Sequence, residues 1–119
     1  MISKHFRLKE KEVKKVLQRW KPFFSYWIVV NYTKNKLSYN RFAIVIWSKS
    51  VITNVQRTYF RRRFYDFVSG YIQKSQNQNF YDFVFVVKKQ TKLNAKDESS
   101  LWTFKKDIHF LIWKIFNTK

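Results

Sequence analysis

The chain has 119 residues, with 25 Lys and Arg against 7 Asp and Glu, and a formal net charge of +18. Its hydrophobic fraction of 45% predicts a packed single domain over residues 1–119 and argues against disorder. With no Cys and only two His, a disulfide framework is excluded and a zinc site is not expected. The charge predicts a polyanionic partner, which could be nucleic acid, an anionic membrane surface or an acidic protein.

The first half of the chain predicts a helix followed by strands. Apolar residues at helical spacing over Leu8 to Trp20 predict an amphipathic helix, and Pro22 ends it. Phe23 to Thr33 is rich in aromatic and β-branched residues and predicts one strand. The polar connection Lys34 to Asn40 could form a hairpin with the next strand, Arg41 to Ser48. That strand is apolar on both sides, which predicts a central position with both faces covered.

The second half predicts a long helix, a strand and a last helix. The long helix runs from about Thr53 to Gln73, with an apolar face formed by Phe60, Phe64, Phe67, Val68 and Tyr71. Its first turns carry Arg57, Arg61, Arg62 and Arg63, and no acidic residue occurs between Glu12 and Asp66. Phe80 to Lys88 predicts a strand. Asp97 and Glu98 precede a last helix with an apolar stripe formed by Leu101, Phe104, Ile108, Leu111 and Ile115.

Together these elements predict a mixed α/β sandwich with a small sheet. Their sequence strings resemble, in order and over about Phe6 to Phe116, the protein subunit of bacterial ribonuclease P. The strings are FRLKEKEVKKVLQRW, NRFAIVIWSKS, VQRTYFRRRFYDF and YDFVFVVKK. This chain departs from the family pattern at Ser50, Ile52, Thr58, Tyr59 and Lys88-Lys89, which indicates a diverged member.

The resemblance implies an αβββαβα fold with a small central sheet and a left-handed βαβ crossover. It also implies a monomeric protein in a cytoplasmic ribonucleoprotein with ribonuclease P RNA and precursor tRNA as partners. The protein would be the accessory subunit of an endoribonuclease that removes the 5′ leader of precursor tRNA. Catalysis would rest on magnesium ions held by the RNA, with no catalytic residue, metal or cofactor on the protein.

The resemblance further implies two sets of site residues. The catalytic RNA would contact a basic set formed by Ser48, Lys49, Arg57, Thr58, Arg61, Arg62 and Arg63. The single-stranded leader would enter a cleft between the first helix and the sheet, at Val13, Leu17, Asn31, Tyr32 and Lys88. Val13 and Leu17 stand where the family has aromatic rings, so plain core packing is the competing interpretation of both.

Three alternatives bear on these interpretations. A small structural RNA-binding protein, for example a ribosome-associated one without a processing role, has the same composition. A membrane-surface protein with amphipathic helices is disfavoured by the polar interruptions and the strand content. The chain contains no run of about 20 apolar residues that could span a bilayer. Asp66, Asp82, Asp107 and His109 are interpreted as structural residues rather than a catalytic set.

Overall fold

The computed structural model describes residues 6–18, 23–25, 27–46, 54–74, 79–88, 94 and 96–117. The order of elements is αβββαβα, which confirms the order that the resemblance implied. The elements are α1 (Glu10–Leu17), β1 (Phe23–Phe24), β2 (Ile28–Asn35), β3 (Arg41–Val45), α2 (Asn54–Val68), β4 (Phe80–Val87) and α3 (Glu98–Phe116). A short 3₁₀ turn, Ser69–Tyr71, extends α2.

The four strands form one sheet in the order β1-β2-β4-β3. β4 pairs antiparallel with β2 and parallel with β3. The expected hairpin across Lys34 to Asn40 is therefore wrong, because the strands on either side of it both pair with β4. The prediction of a central β3 is also wrong, since β4 takes that place. The parallel pairing makes β3–α2–β4 a crossover unit, whose left hand stays a prediction.

The predicted single strand from Phe23 to Thr33 is divided by a turn at Ser25. The Ser25 amide donates to the Ile28 carbonyl at 2.8 Å, and the Ile28 amide donates to Ser25 Oγ at 3.1 Å. β1 then lies antiparallel to β2, with Phe23 opposite Val30. The Ser25 hydroxyl bonds the backbone of Ile28 in a turn that contains neither Gly nor Pro. The residue types therefore did not indicate that the strand is interrupted here.

Side chains cover both faces of the sheet, as predicted for β3. One face holds the large aromatic core, in which Phe42 and Phe83 stack with ring centres 5.2 Å apart. α2 and α3 close this core with Phe64 and Phe104, both fully buried. The opposite face holds a smaller cluster formed by Leu8, Val16, Ala43 and Val84. Alternation along each strand sends neighbouring residues into different cores, which makes the fold a sandwich around one sheet.

The helical faces follow the predicted periodicity. In α2, Phe60, Phe64 and Val68 are fully buried and Phe67 is half-buried, as is Tyr71 in the 3₁₀ turn that follows. In α3, Phe104, Ile108, Leu111 and Ile115 are buried and Leu101 is half-buried. The first helix is shorter than predicted. Leu8 precedes it and joins the core, while Trp20 and Pro22 lie outside the described residues.

A buried asparagine joins the end of the α2 segment to the sheet. Asn40 is fully buried, and its Nδ2 donates to the carbonyls of Tyr71 and Lys74, both at 2.7 Å. Its Oδ1 accepts from the Tyr81 amide at 2.8 Å. One amide side chain therefore bonds two carbonyls of the segment after α2 and one amide of β4.

The predicted structural residues have structural partners. Asp107 accepts from the Trp27 amide at 3.1 Å, and Asp97 accepts from the Ser99 amide at 3.0 Å as the N-cap of α3. His109 Nδ1 lies 2.6 Å from the Tyr71 hydroxyl, which connects α3 to the end of the α2 segment. Desolvation, supported by the nearby Lys105 charge, lowers the pKa of His109.

Candidate nucleic-acid interface

The arginines of α2 divide into exposed and engaged side chains. Arg61 and Arg62 are exposed, and neither forms an ion pair with a carboxylate of the described residues. Arg63 is exposed as well, but its Nη1 lies 3.5 Å from Asp66 Oδ2 and its guanidinium lies 5.4 Å from the Tyr59 ring centre. Such an exposed pair contributes about 0–1 kcal/mol, so it weakly restrains Arg63. Arg57 is half-buried one turn before Arg61.

The first turn of α2 adds to this positive surface. It carries no acidic residue, whereas the first turns of α1 and α3 carry Glu10, Glu12 and Glu98. Unpaired amides give a helix start a partial positive charge, which acidic residues usually offset. The exposed Arg61 and Arg62, with Arg57 one turn before Arg61, therefore extend the positive potential of the helix start. We call this surface the α2 basic face, and Thr58 is exposed within the same turns.

Arg7, from the N-terminal segment, lies next to the α2 basic face. Residues Arg7 and Phe42 form an isolated parallel bridge, and the Leu8 amide donates to the Phe42 carbonyl at 2.9 Å. This pairing holds the Arg7 guanidinium 5.6 Å from the ring centre of Tyr65. Burial raises the pKa of Tyr65, and the charges of both Arg7 and Arg61 oppose that rise. Two arginines far apart in sequence therefore lie near the same phenol.

The sequence contained a partial sign that Arg7 belongs to this surface. It belongs to the leading R-L-K string of the resemblance, but periodicity cannot show that the string pairs with β3. Its Nε is buried without a hydrogen-bond partner among the described residues. Ser48 and Lys49, which were predicted for the same surface, lie outside the described residues, as does Ser50.

The second predicted set lies mainly on the α1 face of the sheet. Val13 is half-buried and packs against the small core with Val45 and Val86. Asn31 pairs with Val84 in register and therefore shares its face. Leu17 is 43% exposed beside this packing. Lys88 is half-buried, with Nζ donating to the Ser25 carbonyl at 2.8 Å, so its ammonium is attached to the β1–β2 turn.

Tyr32 does not belong to this set, which corrects its predicted placement. Its ring stacks on Phe23 at 5.8 Å and packs edge-on against Tyr81 at 5.6 Å, in the aromatic core on the opposite face. The reason is the alternation of a strand, in which Asn31 and Tyr32 must point in opposite directions. Burial raises the pKa of Tyr32, with a smaller contribution from Tyr81.

A charged network fixes α1 to the sheet on the α1 face. Arg41 donates from Nε and Nη2 to both oxygens of Asp82, at 2.9 and 2.7 Å, and from Nη1 to Glu12. Asn35 Nδ2 also donates to Asp82, at 2.9 Å. Burial opposes ionisation of Glu12, but hydrogen bonds from the Lys9 amide and Arg41 outweigh it and lower the pKa of Glu12. Arg41 is thus neutralised within the fold.

A groove between α1 and the end of β2 lies beside this network and has a basic rim. Its lining includes the exposed lysines Lys15, Lys34 and Lys36 together with Thr33 and Leu37, and none of the five residues predicted for the leader cleft is part of it. The acidic side chains in the lining, Glu12 and Asp82, are both paired with Arg41. A ligand in the groove would therefore meet uncompensated positive charge and few exposed rings. That composition suits a phosphate backbone better than stacked bases.

Fold and charge thus define a small basic α/β protein with a helix-borne arginine surface. A family model described as Ribonuclease P matches residues 2–108. The structure is similar to that of the Staphylococcus aureus RNase P protein, with a TM-score of 0.71 at 18% identity over 94% of this chain and 98% of that one. It is also similar to the RNase P protein from Thermotoga maritima, with a TM-score of 0.66 at 21% identity over 88% and 93% of the two chains.

A third similar structure is a Staphylococcus aureus RNase P protein mutant with defective mRNA degradation activity. It aligns with a TM-score of 0.73 at 16% identity, over 94% of this chain and 89% of that one. Comparison with curated proteins gives no significant match. The chain belongs to the bacterial ribonuclease P protein family. By that membership it is an RNA-binding subunit of a ribonucleoprotein of tRNA processing.

Two further observations concern the described residues only. Among them, no group of three or more His, Asp and Glu side chains is arranged to hold a metal ion. No helix in the same part of the chain has the length and apolar character needed to cross a bilayer.

Proposed function

We propose that this chain assists ribonuclease P by binding two partners at different surfaces. The α2 basic face, with Arg7, binds the catalytic RNA, and the groove between α1 and the sheet holds the 5′ leader of precursor tRNA. Hydrolysis proceeds at magnesium ions on the RNA, and the protein supplies binding and electrostatic support. The observation that carries the proposal is the exposure of Arg61 and Arg62, without a carboxylate partner among the described residues, in a member of this family.

The chemistry of the α2 basic face favours phosphate. Guanidinium groups offer a planar fork of donors that fits two phosphate oxygens, and they stay charged at any physiological pH. Each neutralised phosphate releases counterions, which makes binding steeply dependent on salt. Arg7 and Arg61 near Tyr65 form one such pair of forks, and Arg62 extends it outward. Arg63 takes a smaller part because Asp66 competes for its guanidinium.

The groove favours contact with the leader backbone. Val13 is packed, Leu17 is aliphatic, and Tyr32 lies on the other face, so these positions provide no stacking surface. A stacked base is worth about 1–3 kcal/mol, and that contribution is missing here. Asn31 and the lysine rim contribute hydrogen bonds and charge in its place. Leader affinity in this protein is accordingly modest and sensitive to salt.

The remaining features of the proposal follow from the same arrangement. The protein acts as a monomer within the ribonucleoprotein, in the cytoplasm, and makes no use of a membrane. It holds no cofactor of its own. Ser48 and Lys49 follow β3 in sequence, and we assign them to the RNA-binding set with Thr58.

Reconstituted cleavage tests this function. The chain is mixed with a bacterial ribonuclease P RNA and precursor tRNA at low magnesium, and leader removal is measured with and without protein. Stimulation of cleavage supports the proposal. Binding to the RNA without stimulation favours the structural RNA-binding alternative and contradicts the assisting role.

Matched charge variants test the placement of the RNA. Arg61→Gln and Lys96→Gln each remove one exposed positive charge, on α2 and in the connector before α3. For Arg61→Gln, the slope of log affinity against log salt should fall by about 0.7–0.9, and for the double Arg61→Gln/Arg62→Gln by roughly twice that. Lys96→Gln should leave the slope unchanged. Equal slopes for the α2 variants and the parent would contradict this placement.

A further inference from the structure

The outer face of α3 carries aromatic rings that the core does not use. Trp102, Phe110 and Trp113 are 64%, 46% and 62% exposed. The inner face of the same helix is already filled by Phe104, Ile108 and other buried residues. Burying a large apolar side chain is worth about 1.5–3 kcal/mol, and these three rings forgo most of that. Folding therefore does not explain their presence.

Positions 102, 106, 110 and 113 recur at about one helical turn and form a single stripe. Lys106 Nζ lies 4.9 Å from the Trp102 ring centre. The half-buried Lys114 borders the stripe, with Nζ 5.9 Å from the ring centre of Phe110 and 5.3 Å from that of Phe23 in β1. Phe110 and Trp113 are nearly parallel, at 25° and 6.5 Å. At 1.5 Å per residue the stripe spans roughly 16 Å from Trp102 to Trp113. We call it the aromatic–lysine stripe.

We propose that the aromatic–lysine stripe binds a short stretch of unpaired RNA. The exposed rings provide flat faces on which bases stack, and the ammonium groups beside them neutralise the phosphates between those bases. A span of roughly 16 Å accommodates a few nucleotides, because the phosphates of an unpaired strand lie further apart than the roughly 3.4 Å per phosphate of a duplex strand. Stacking tolerates any base, so this surface selects single strands and has little sequence preference.

The charge of the stripe favours RNA over the other possible occupants. A second copy of the chain would bring the same lysines of two stripes together, which like-charge repulsion opposes. An anionic lipid surface would meet the same rings and lysines, and RNA is preferred to it because the chain belongs to a family of RNA-binding subunits. Unpaired RNA satisfies both the rings and the lysines.

This inference goes beyond the proposed function because it uses neither the α2 basic face nor the groove. Phe104 packs against Phe60 and Phe67 of α2, and the stripe projects away from that contact. Loss of binding at the stripe would leave the salt slope of the α2 variants and the stimulation of cleavage as they are. The two proposals can therefore fail separately.

The experiment measures binding of the full chain to a single-stranded oligouridylate of about eight nucleotides, followed by tryptophan fluorescence and anisotropy. The parent is compared with Trp102→Ala/Trp113→Ala, with Trp102→Phe/Trp113→Phe, and with Leu37→Ala as an exposed apolar control outside α3. The affinity should fall about tenfold or more for each ring lost to alanine. The phenylalanine variant should keep most of the affinity, and Leu37→Ala all of it.

An abasic oligomer of the same length separates stacking from charge, and it should bind the parent about as weakly as the alanine variant binds the oligouridylate. Urea unfolding of each variant verifies that the fold is retained, which the exposure of both tryptophans leads us to expect. Abasic binding as tight as oligouridylate binding, or an alanine variant within twofold of the parent, would overturn the proposal. So would capture by phosphatidylserine vesicles, or dimerisation of the parent, that depends on Trp102 and Trp113 while oligouridylate binding does not.

Discussion

Replacing Asn40 with alanine should destabilise the protein more than its small change in volume suggests. The side chain makes three hydrogen bonds of 2.7–2.8 Å to backbone groups and is fully buried. In Asn40→Ala the buried Tyr81 amide loses this partner, and so does the part-buried carbonyl of the exposed Lys74. The Tyr71 carbonyl keeps one bond, from the Lys74 amide at 3.2 Å.

The magnitude follows from these three bonds. A buried hydrogen bond is worth about 1 kcal/mol net, and leaving its partner unsatisfied costs about 1–3 kcal/mol. The loss should therefore amount to about 3–5 kcal/mol, a large share of the roughly 5–15 kcal/mol that stabilises a domain. Urea unfolding followed by far-UV circular dichroism measures it as a shift in midpoint at constant slope.

Two comparisons sharpen the test. Asn117→Ala removes one exposed hydrogen bond, to the Trp113 carbonyl at 2.7 Å, and should cost less than about 1 kcal/mol. Asn40→Asp keeps an acceptor for the Tyr81 amide but turns carboxylate oxygens toward two carbonyls, so it should be destabilised strongly at neutral pH. A loss below about 1 kcal/mol for Asn40→Ala would refute the reasoning, since it would mean that water replaces all three bonds.

Three further predictions concern other described contacts. Because the pKa of His109 is lowered in the folded state, the unfolding free energy should fall as pH decreases below about 6.5, and His109→Gln should flatten that decline in urea titrations at several pH values. Asp82→Asn leaves Arg41 partly unpaired and should cost about 2–4 kcal/mol, whereas Glu10→Gln, which breaks the exposed pair with Lys14, should change stability by less than about 0.5 kcal/mol in the same assay. Leu17→Phe places a ring at an exposed position of α1 next to the groove-lining Val16 and should tighten binding of precursor tRNA over mature tRNA by about tenfold, and equal affinities for parent and variant would argue against leader contact there.

The sequence predicted the helical faces well because aromatic residues mark them at regular spacing. Phe60, Phe64 and Val68 repeat at three to four residues, and each is fully buried in α2. The order of elements followed from the resemblance, since the quoted strings span nearly the whole chain. Strand pairing could not be predicted in the same way. β2 and β3 both pair with β4, and this long-range pairing cannot be read from local sequence patterns.

The candidate site was predictable in its charge but not in its contacts. The absence of acidic residues between Glu12 and Asp66 predicted the α2 basic face, and i, i+3 spacing would have paired Arg63 with Asp66. Strand alternation would likewise have separated Tyr32 from Asn31. Arg7 could not be placed beside Tyr65 from spacing, because the contact depends on a bridge between distant segments.

The bridge between Arg7 and Phe42 also shields an otherwise open strand. β3 lies at the edge of the sheet, and the Leu8 amide occupies the outward carbonyl of Phe42. Unprotected edges of aromatic-rich strands recruit further strands and start aggregates. Trimming the chain up to Leu8 should therefore produce a protein that associates edge to edge in solution, so the segment that positions Arg7 beside Tyr65 also protects the sheet edge.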